Sequence, residues 1–351
     1  LEIHESKTTS GFVAILRGGR NNGRTVLLRG DMDALPMQED TGLPFASKVP
    51  GAMHACGHDA HSAMLVGAAR ALCARKDELP GTVVFMFQPG EEGYHGARYM
   101  IEDGLLDIAR PEAAFALHIS PNAPAGTFVS RPGPLLASTD TLHATIRGRG
   151  GHAAMPHDTL DPIPVACEIV TALQTFLARR VPVSDPAVLT IAQINAGSAH
   201  NIVPQTCEMT GTLRTLSERT RELMRDAFTR IVENIAAAHG MVGEVSLESG
   251  YPVTMNDPRA YELMRGQAIA MGGEDAWQVM PTPMMGAEDF AYVLRDVPGA
   301  MAFIGVAADG SDPRTNPPLH NTKMTIDEAT MARGVALHCA AAARFLEDGF
   351  D

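Results

Sequence analysis

The stretch "MHACGHDAH", residues 53–61, places three histidines, a cysteine and an aspartate within nine positions. The same kinds of residue recur in four other short segments. These hold Asp31 and Asp33 in "GDMDALP", Glu91 and Glu92 in "QPGEEG", His118 in "LHIS" and His320 in "PPLHNTKM". Imidazole, thiolate and carboxylate are the donors that borderline divalent metals take. Singly, each residue has a structural explanation. His118 ends an apolar run and suits a hydrogen-bonded core position, Asp33 suits a turn before Pro36, and Asp59 suits a helix N-cap. Glu91 and Glu92, after a Pro-Gly turn, suit a solvated acidic corner, and Cys56 suits a small buried apolar position. A metal centre requires that all five segments meet.

The hydrophobic pattern offers a way for them to do so. "GFVAIL", "TVLLRGDMD", "GTVVFMFQ" and "EAAFALHI" read as strands, while "HSAMLVGAARALCARK" and "GARYMIEDGLL" read as helices. This alternation predicts an α/β sheet with helices on its faces. Ligands gather outside the carboxyl ends of strands in such a sheet, and four of the five segments fall there. The fifth lies in a Pro-rich loop before the last helix.

The Pro-, Gly- and Ser-dense "SPNAPAGTFVSRPGPLLAS" marks a hinge. Beyond it the pattern predicts a strand in "TDTLHATIRG", a helix over 161–179 and strands over 187–196 and 205–215. A helix over 217–239 and a strand in "EVSLESG" follow. That is the order of a ferredoxin-like α+β unit. Long helices then return, with a buried strand in "AMAFIGV" and a last helix over 327–347. Residues 1–133 and 253–351 are thus expected to form one domain, interrupted by a smaller one over 134–252.

The bulk numbers narrow the function classes. A chain of 351 residues can bury two cores, and 45% hydrophobic with 20% charged residues is ordinary globular composition. The net charge of −13 argues against nucleic-acid and anionic-membrane partners, whose phosphates it repels. Five scattered cysteines fit free thiols in a reducing compartment. No run approaches the roughly 18 apolar residues of a membrane span, and no signal peptide is evident. A cytoplasmic protein acting on a small molecule is expected. The opening "LEIHESKTTSGFVAIL" reads as mid-domain, so a natural N-terminus is expected upstream.

The motifs "RGDMDALPMQED", "MHACGHDAHSAMLVGAA", "QPGEEGYHGARYMIEDG", "GRGGHAAMPH", "INAGSAHNIVP", "GTLRT", "MGAEDFAY" and "LHN" occur in that order. Together they resemble the metallo-aminoacylase family, and most closely its branch of hippurate hydrolase and the amidohydrolases of N-acyl and auxin–amino-acid conjugates. The resemblance runs from about residue 1 to the last helix. It implies a phosphorylase/hydrolase-like α/β metallopeptidase domain with an inserted ferredoxin-like lid. It also implies a homodimer or higher homo-oligomer formed through that lid. The family begins with a helical segment of some tens of residues ahead of the part matched here.

Two divalent ions per subunit are implied, Zn²⁺ or Mn²⁺, with Co²⁺ and Ni²⁺ also compatible with the ligand set. By motif position Cys56 would bridge them, and His58, Glu92, His118 and His320 would complete the two shells. Glu91 would be the general base, and Asp33 would orient a ligand. His152 would stabilise the oxyanion, in some members from the partner subunit. Asn201 and Arg214 would hold the carboxylate of the substrate, a task to which the arginine fork is suited. Distant relatives carry a histidine ligand at the position of Asp31, for which His58 would compensate. Asp59 and Glu288 would support ligands, and the methionines of "VMPTPMMGAEDF" would wall an acyl pocket.

The implied reaction is hydrolysis of the amide bond of an N-acyl amino acid, with N-benzoyl or N-acetyl groups in view. Metal lowers the pKa of bound water from 15.7 to about 7. An unligated Glu91 would then take its proton and pass it to the leaving nitrogen. Deacetylation of N-acetyl-diaminopimelate and cleavage of short peptides are the alternatives within this chemistry. A non-catalytic, metal-stabilised binding protein would not need Glu91. A dinuclear phosphoesterase would not need the glycine–histidine loop around His152.

Overall fold

Strand β1 (Glu2–Glu5) forms a hairpin with β2 (Phe12–Arg17) at the edge of a large sheet in the computed structural model, which describes residues 1–20, 22–308 and 310–351. There follow β3 (Thr25–Asp31), α1 (His58–Ala74), β4 (Thr82–Gln88), α2 (Gly96–Glu102), β5 (Ala113–Pro124), β6 (Phe128–Ser130) and β7 (Gly133–Leu136). After a second unit, the chain resumes with β14 (Thr254–Asn256), α5 (Pro258–Gly272), β15 (Trp277–Val279), α6 (Ala291–Asp296), β16 (Gly299–Ala307) and α7 (Met331–Asp348). The eight-stranded sheet runs β1-β2-β4-β3-β5-β16-β6-β15. Its middle, β4-β3-β5-β16, is parallel. Every residue of β3, β4 and β16 is buried, as expected of parallel strands covered on both faces. The mixed α/β class expected from the pattern is the one observed.

The second compact unit, Leu136–Val253 with Met284–Ala287, holds β8 (Asp140–Arg147), β9 (Gly151–His152), α3 (Pro162–Arg180), β10 (Ala187–Ala196), β11 (Ile202–Val203), β12 (Thr206–Thr215), α4 (Glu218–Ala238) and β13 (Val242–Ser249). Its antiparallel sheet runs β10-β12-β8-β13. Buried Leu142, Ala144 and Ile146 of β8 and Met209 and Leu213 of β12 share a core with Ile169 and Leu173 of α3 and Phe228 and Val232 of α4. The alternation in "TDTLHATIRG" is thus one helix-covered face and one open face.

Several element bounds differ from the pattern for local reasons. α1 begins three residues earlier than its apolar run, at His58, and stops at Ala74, so the basic pair Arg75 and Lys76 lies beyond it. α2 stops at Glu102, because Asp103 accepts hydrogen bonds from Lys7 N and from N and Oγ1 of Thr8, and Gly104 turns with φ of 84°. β5 runs on to Pro124, paired with β16 past His118. The last helix starts at Met331, after a short 3-10 turn capped by Asp327. Among the described residues, no helix is long and apolar enough to cross a membrane.

Candidate metal centre

Both predicted aspartates leave the carboxyl end of β3, where Asp31 is its last residue and Asp33 follows. Cys56 sits in the turn before α1, and His58 is the first residue of that helix. Gly57 between them has φ of 81°, a left-handed conformation that costs glycine little. Glu91 and Glu92 follow β4, His118 lies in β5, and His320 precedes α7.

These segments converge. Donor atoms of Cys56, His58 and His118 lie within 4.8 Å of one another, and so do those of Cys56, Glu92 and His320. Cys56 therefore belongs to both groups. Its Sγ is 3.5 Å from Nε2 of His118, and Nε2 of His320 is 3.2 Å from Oε1 of Glu92. Glu91 forms a third group with His58 and Glu92.

Hydrogen bonds determine which ring nitrogens face inward. Nδ1 of His118 lies 2.7 Å from the Ile119 carbonyl. A carbonyl only accepts, so Nδ1 carries the proton and Nε2 is left with its lone pair toward Cys56. Nδ1 of His58 is 3.2 Å from Oδ1 of Asp33, whose Oδ2 accepts the Glu92 amide at 2.9 Å. Burial raises the proton affinity of Asp33, yet the His58 and Glu92 bonds outweigh it and hold the carboxyl below its usual range.

The electrostatics of the cluster call for positive charge. Burial pushes the Cys56 thiol far up, and Glu92 and Glu91 add to it. Burial alone would lower His58, but Asp31 and Asp33 raise it to about 9. Burial and then the carboxylates of Glu288 and Asp289 push Glu91 well above the usual carboxyl range, against the pull of Arg29. Buried Nε2 of His58 and Oε1 of Glu92 make no well-aligned hydrogen bond among the described residues, although Asp31 Oδ2 stands 3.5 Å from the first and His320 Nε2 3.2 Å from the second. Buried donor atoms crowded around a reluctant thiol without good hydrogen bonds fit a dication, which would satisfy them and deprotonate the sulfur.

Asp31 is not left as a free donor. Its Oδ1 is 2.6 Å from Nδ1 of His61, and its Oδ2 is 2.7 Å from Nη1 of Arg29. Arg29 is fully buried and also reaches Gln88, Glu288 and Asp289. Carboxylate oxygens of Glu288, Asp289 and Glu91 lie within 4.8 Å of one another. Sequence reasoning named Glu288 but missed Arg29, Gln88 and Asp289. An arginine inside the apolar run "TVLLRGD" was the available signal, since arginine is almost never fully buried without partners.

The remaining candidates lie in the second unit. His152 pairs with Ile202 across β9 and β11, and the Asn201 carbonyl accepts from Ala153 N at 3.1 Å. His152 and Asn201 are therefore neighbours, both exposed. Arg214 is half-buried, opposite Val188 near the far end of β12, whereas β9 and β11 extend the end at Thr206. At ~3.3 Å per residue, the stretch from Thr206 to Arg214 puts about 25 Å between the two ends. Within one copy the structure does not bring Arg214 together with His152 and Asn201.

An α/β sheet that gathers cysteine, histidine and carboxylate donors at the carboxyl ends of its parallel strands is the frame of a metal-dependent hydrolase. Residues 27–344 match the Peptidase family M20/M25/M40, and the chain belongs to that family. It is 38% identical over 339 residues to thermostable carboxypeptidase 1 of Saccharolobus solfataricus, covering 96% of this chain and 84% of the relative. It is also 38% identical over 348 residues to N-acetyl-L-cysteine deacetylase of Bacillus subtilis, covering 99% and 80%. Among solved structures it resembles the YXEP protein of Bacillus subtilis, described as a dinuclear metal binding peptidase from the M20 family. That likeness has a TM-score of 0.83 and 34% identity, and covers 99% of this chain and 88% of the other. The resemblance drawn from the motifs holds at the level of the family.

Proposed function

We propose that the chain hydrolyses the amide bond of N-acyl amino acids, releasing a carboxylic acid and a free amino acid, with two divalent ions in the centre around Cys56. The observation that carries this reading is the pair of donor groups sharing one cysteine, with Glu91 beside them. Cys56 would be shared by both ions, His58 and His118 would hold one, and Glu92 and His320 would hold the other. When bound, the ions polarise the amide carbonyl and acidify water. Glu91, buried and with its proton affinity raised by burial and by Glu288 and Asp289, takes the proton of the attacking water and delivers it to the leaving nitrogen. Asp33 holds His58 and the Glu92 peptide in place. The deacetylase relative supports an acyl amino acid as substrate.

The second unit serves as lid and dimerisation domain. Its strand order and its antiparallel pairs support reading it as a ferredoxin-like unit. In this reading His152 donates to the developing oxyanion, while Asn201 and Arg214 hold the substrate carboxylate. For Arg214 and Asn201 to hold one carboxylate they would have to come from different copies, which the homodimer of this reading provides. Exposed β10, at the edge of its sheet, is open to pairing with a second copy.

The deciding experiment strips the metal, refills the protein with Zn²⁺, Mn²⁺, Co²⁺ or Ni²⁺ in turn, and assays a panel of N-acyl amino acids that includes N-benzoylglycine and N-acetylcysteine. Metal-dependent release of the free amino acid is expected. Absence of turnover on the whole panel with every ion overturns the reading. The carboxypeptidase relative favours a second reading, short-peptide cleavage, and dipeptides on the same panel separate the two.

A further inference from the structure

His61 stands among the candidate ligands and yet has no free ring nitrogen. Its ring is fully buried, 4.5 Å between centroids from His118 and 5.4 Å from His58. Nε2 lies 2.8 Å from the Ile119 amide nitrogen. A backbone N–H only donates, so Nε2 accepts and the single proton sits on Nδ1. That proton goes to Oδ1 of Asp31 at 2.6 Å. Asp31 is held in turn by Arg29, and its carbonyl accepts from Oγ of Ser62 at 2.6 Å.

Ile119 is where the two ligand-bearing segments touch. Its carbonyl accepts from His118, its amide is taken by His61, and a Cβ placed on Gly57 would collide with its side chain. Gly57 lies between Cys56 and His58. Ile119 is thus bonded to one donor and packed against the glycine between two others, and His61 is the side chain that ties its amide to α1.

We propose that His61, oriented by Asp31, is a positioning residue for the metal centre: it fixes the Ile119 peptide and so aligns His118 with Cys56 and His58. This rests on the metal-centre reading above. Side chains of this kind, which orient ligands without touching the ion, typically change metal affinity 10–100-fold when replaced.

The test compares His61→Asn with His61→Gln in the full chain. The asparagine amide reaches the Nδ1 position and leaves the Ile119 amide without an acceptor, whereas the glutamine oxygen reaches the Nε2 position. Co²⁺ is titrated into metal-stripped protein against a chelator, the thiolate-to-cobalt absorption is recorded, and each metal-free variant is melted. Affinity about 10–100-fold weaker for His61→Asn is expected. It should come with an altered cobalt spectrum, substantial recovery in His61→Gln and similar melting temperatures for both.

Equal Co²⁺ affinity and spectra in both variants and the unmodified chain overturn the proposal, as does an affinity loss that simply follows melting temperature. An unmodified chain that binds no Co²⁺ removes the metal-centre reading itself. If His61→Asn fails to fold, His61→Leu, which fills the buried site but cannot accept from the Ile119 amide, takes its place: weaker affinity in it with recovery in His61→Gln supports the role, and equal affinity and spectra in both overturn it.

Discussion

Asp33 joins two proposed ligands through one carboxylate: Oδ1 lies 3.2 Å from Nδ1 of His58, and Oδ2 accepts the backbone amide of Glu92 at 2.9 Å. It thereby selects the His58 tautomer and holds the turn that carries both glutamates. Asp33→Ala is expected to weaken metal binding about 10–100-fold. Chelator competition measures this, and an unchanged affinity would reduce Asp33 to a turn-former.

Glu91→Gln keeps the size of the side chain and removes its ability to take a proton. Hydrolysis is expected to fall by about 10²–10⁴ or more while two equivalents of metal remain bound. Turnover within a few-fold of the unmodified chain would show that the proton goes elsewhere.

Cys56 belongs to both donor groups, so Cys56→Ala is expected to lower occupancy of both sites together. Elemental analysis after dialysis reads the stoichiometry. Two full equivalents in the variant would contradict a bridging thiolate.

Gly57→Ala places a methyl group against Ile119 on a backbone with φ of 81°. A destabilisation greater than about 1 kcal/mol is expected, because the substitution meets both a steric and a conformational penalty. Denaturant unfolding of the metal-free protein measures it, and a neutral result would mean that the turn relaxes freely.

Acid should destabilise the metal-free protein partly through His338. Burial lowers this group from 6.5 to about 4, so the unfolded chain binds its proton first. The folded state keeps its full advantage above pH 6.5 and loses it as pH falls toward about 4. The loss amounts to roughly 3–4 kcal/mol at ~1.4 kcal/mol per pH unit. His61, lowered to about 3 by burial despite Asp31, acts in the same direction. His338→Leu should flatten the fall in stability between pH 7 and 5, and an unchanged slope would assign the acid sensitivity to other groups.

Much of the fold was readable along the chain because hydrophobic periodicity is a local property. "GTVVFMFQ" contains β4, and the strand expected over 187–196 is β10 with those bounds. Donor chemistry was readable for the same reason, since cysteine, histidine and paired carboxylates are visible wherever they stand. Helix ends were less legible. α2 is cut short next to an aspartate whose partners, Lys7 and Thr8, lie 96 and 95 positions away.

What needed the folded molecule was the choice among chemically similar side chains. Asp31, His61 and Glu288 are as ligand-like in composition as Asp33, His58 and Glu92, and no spacing separates them. The separation comes largely from partners distant along the chain: Asp31 is taken up by His61 across 30 positions and by neighbouring Arg29, itself tied to Asp289 across 260, and the Ile119 amide consumes the free nitrogen of His61 across 58. A hydrogen bond saturates a donor or acceptor only when two surfaces have already been packed together. Which atoms remain open to a metal is therefore decided by tertiary contact, whereas the kinds of atom on offer are written in the residues themselves.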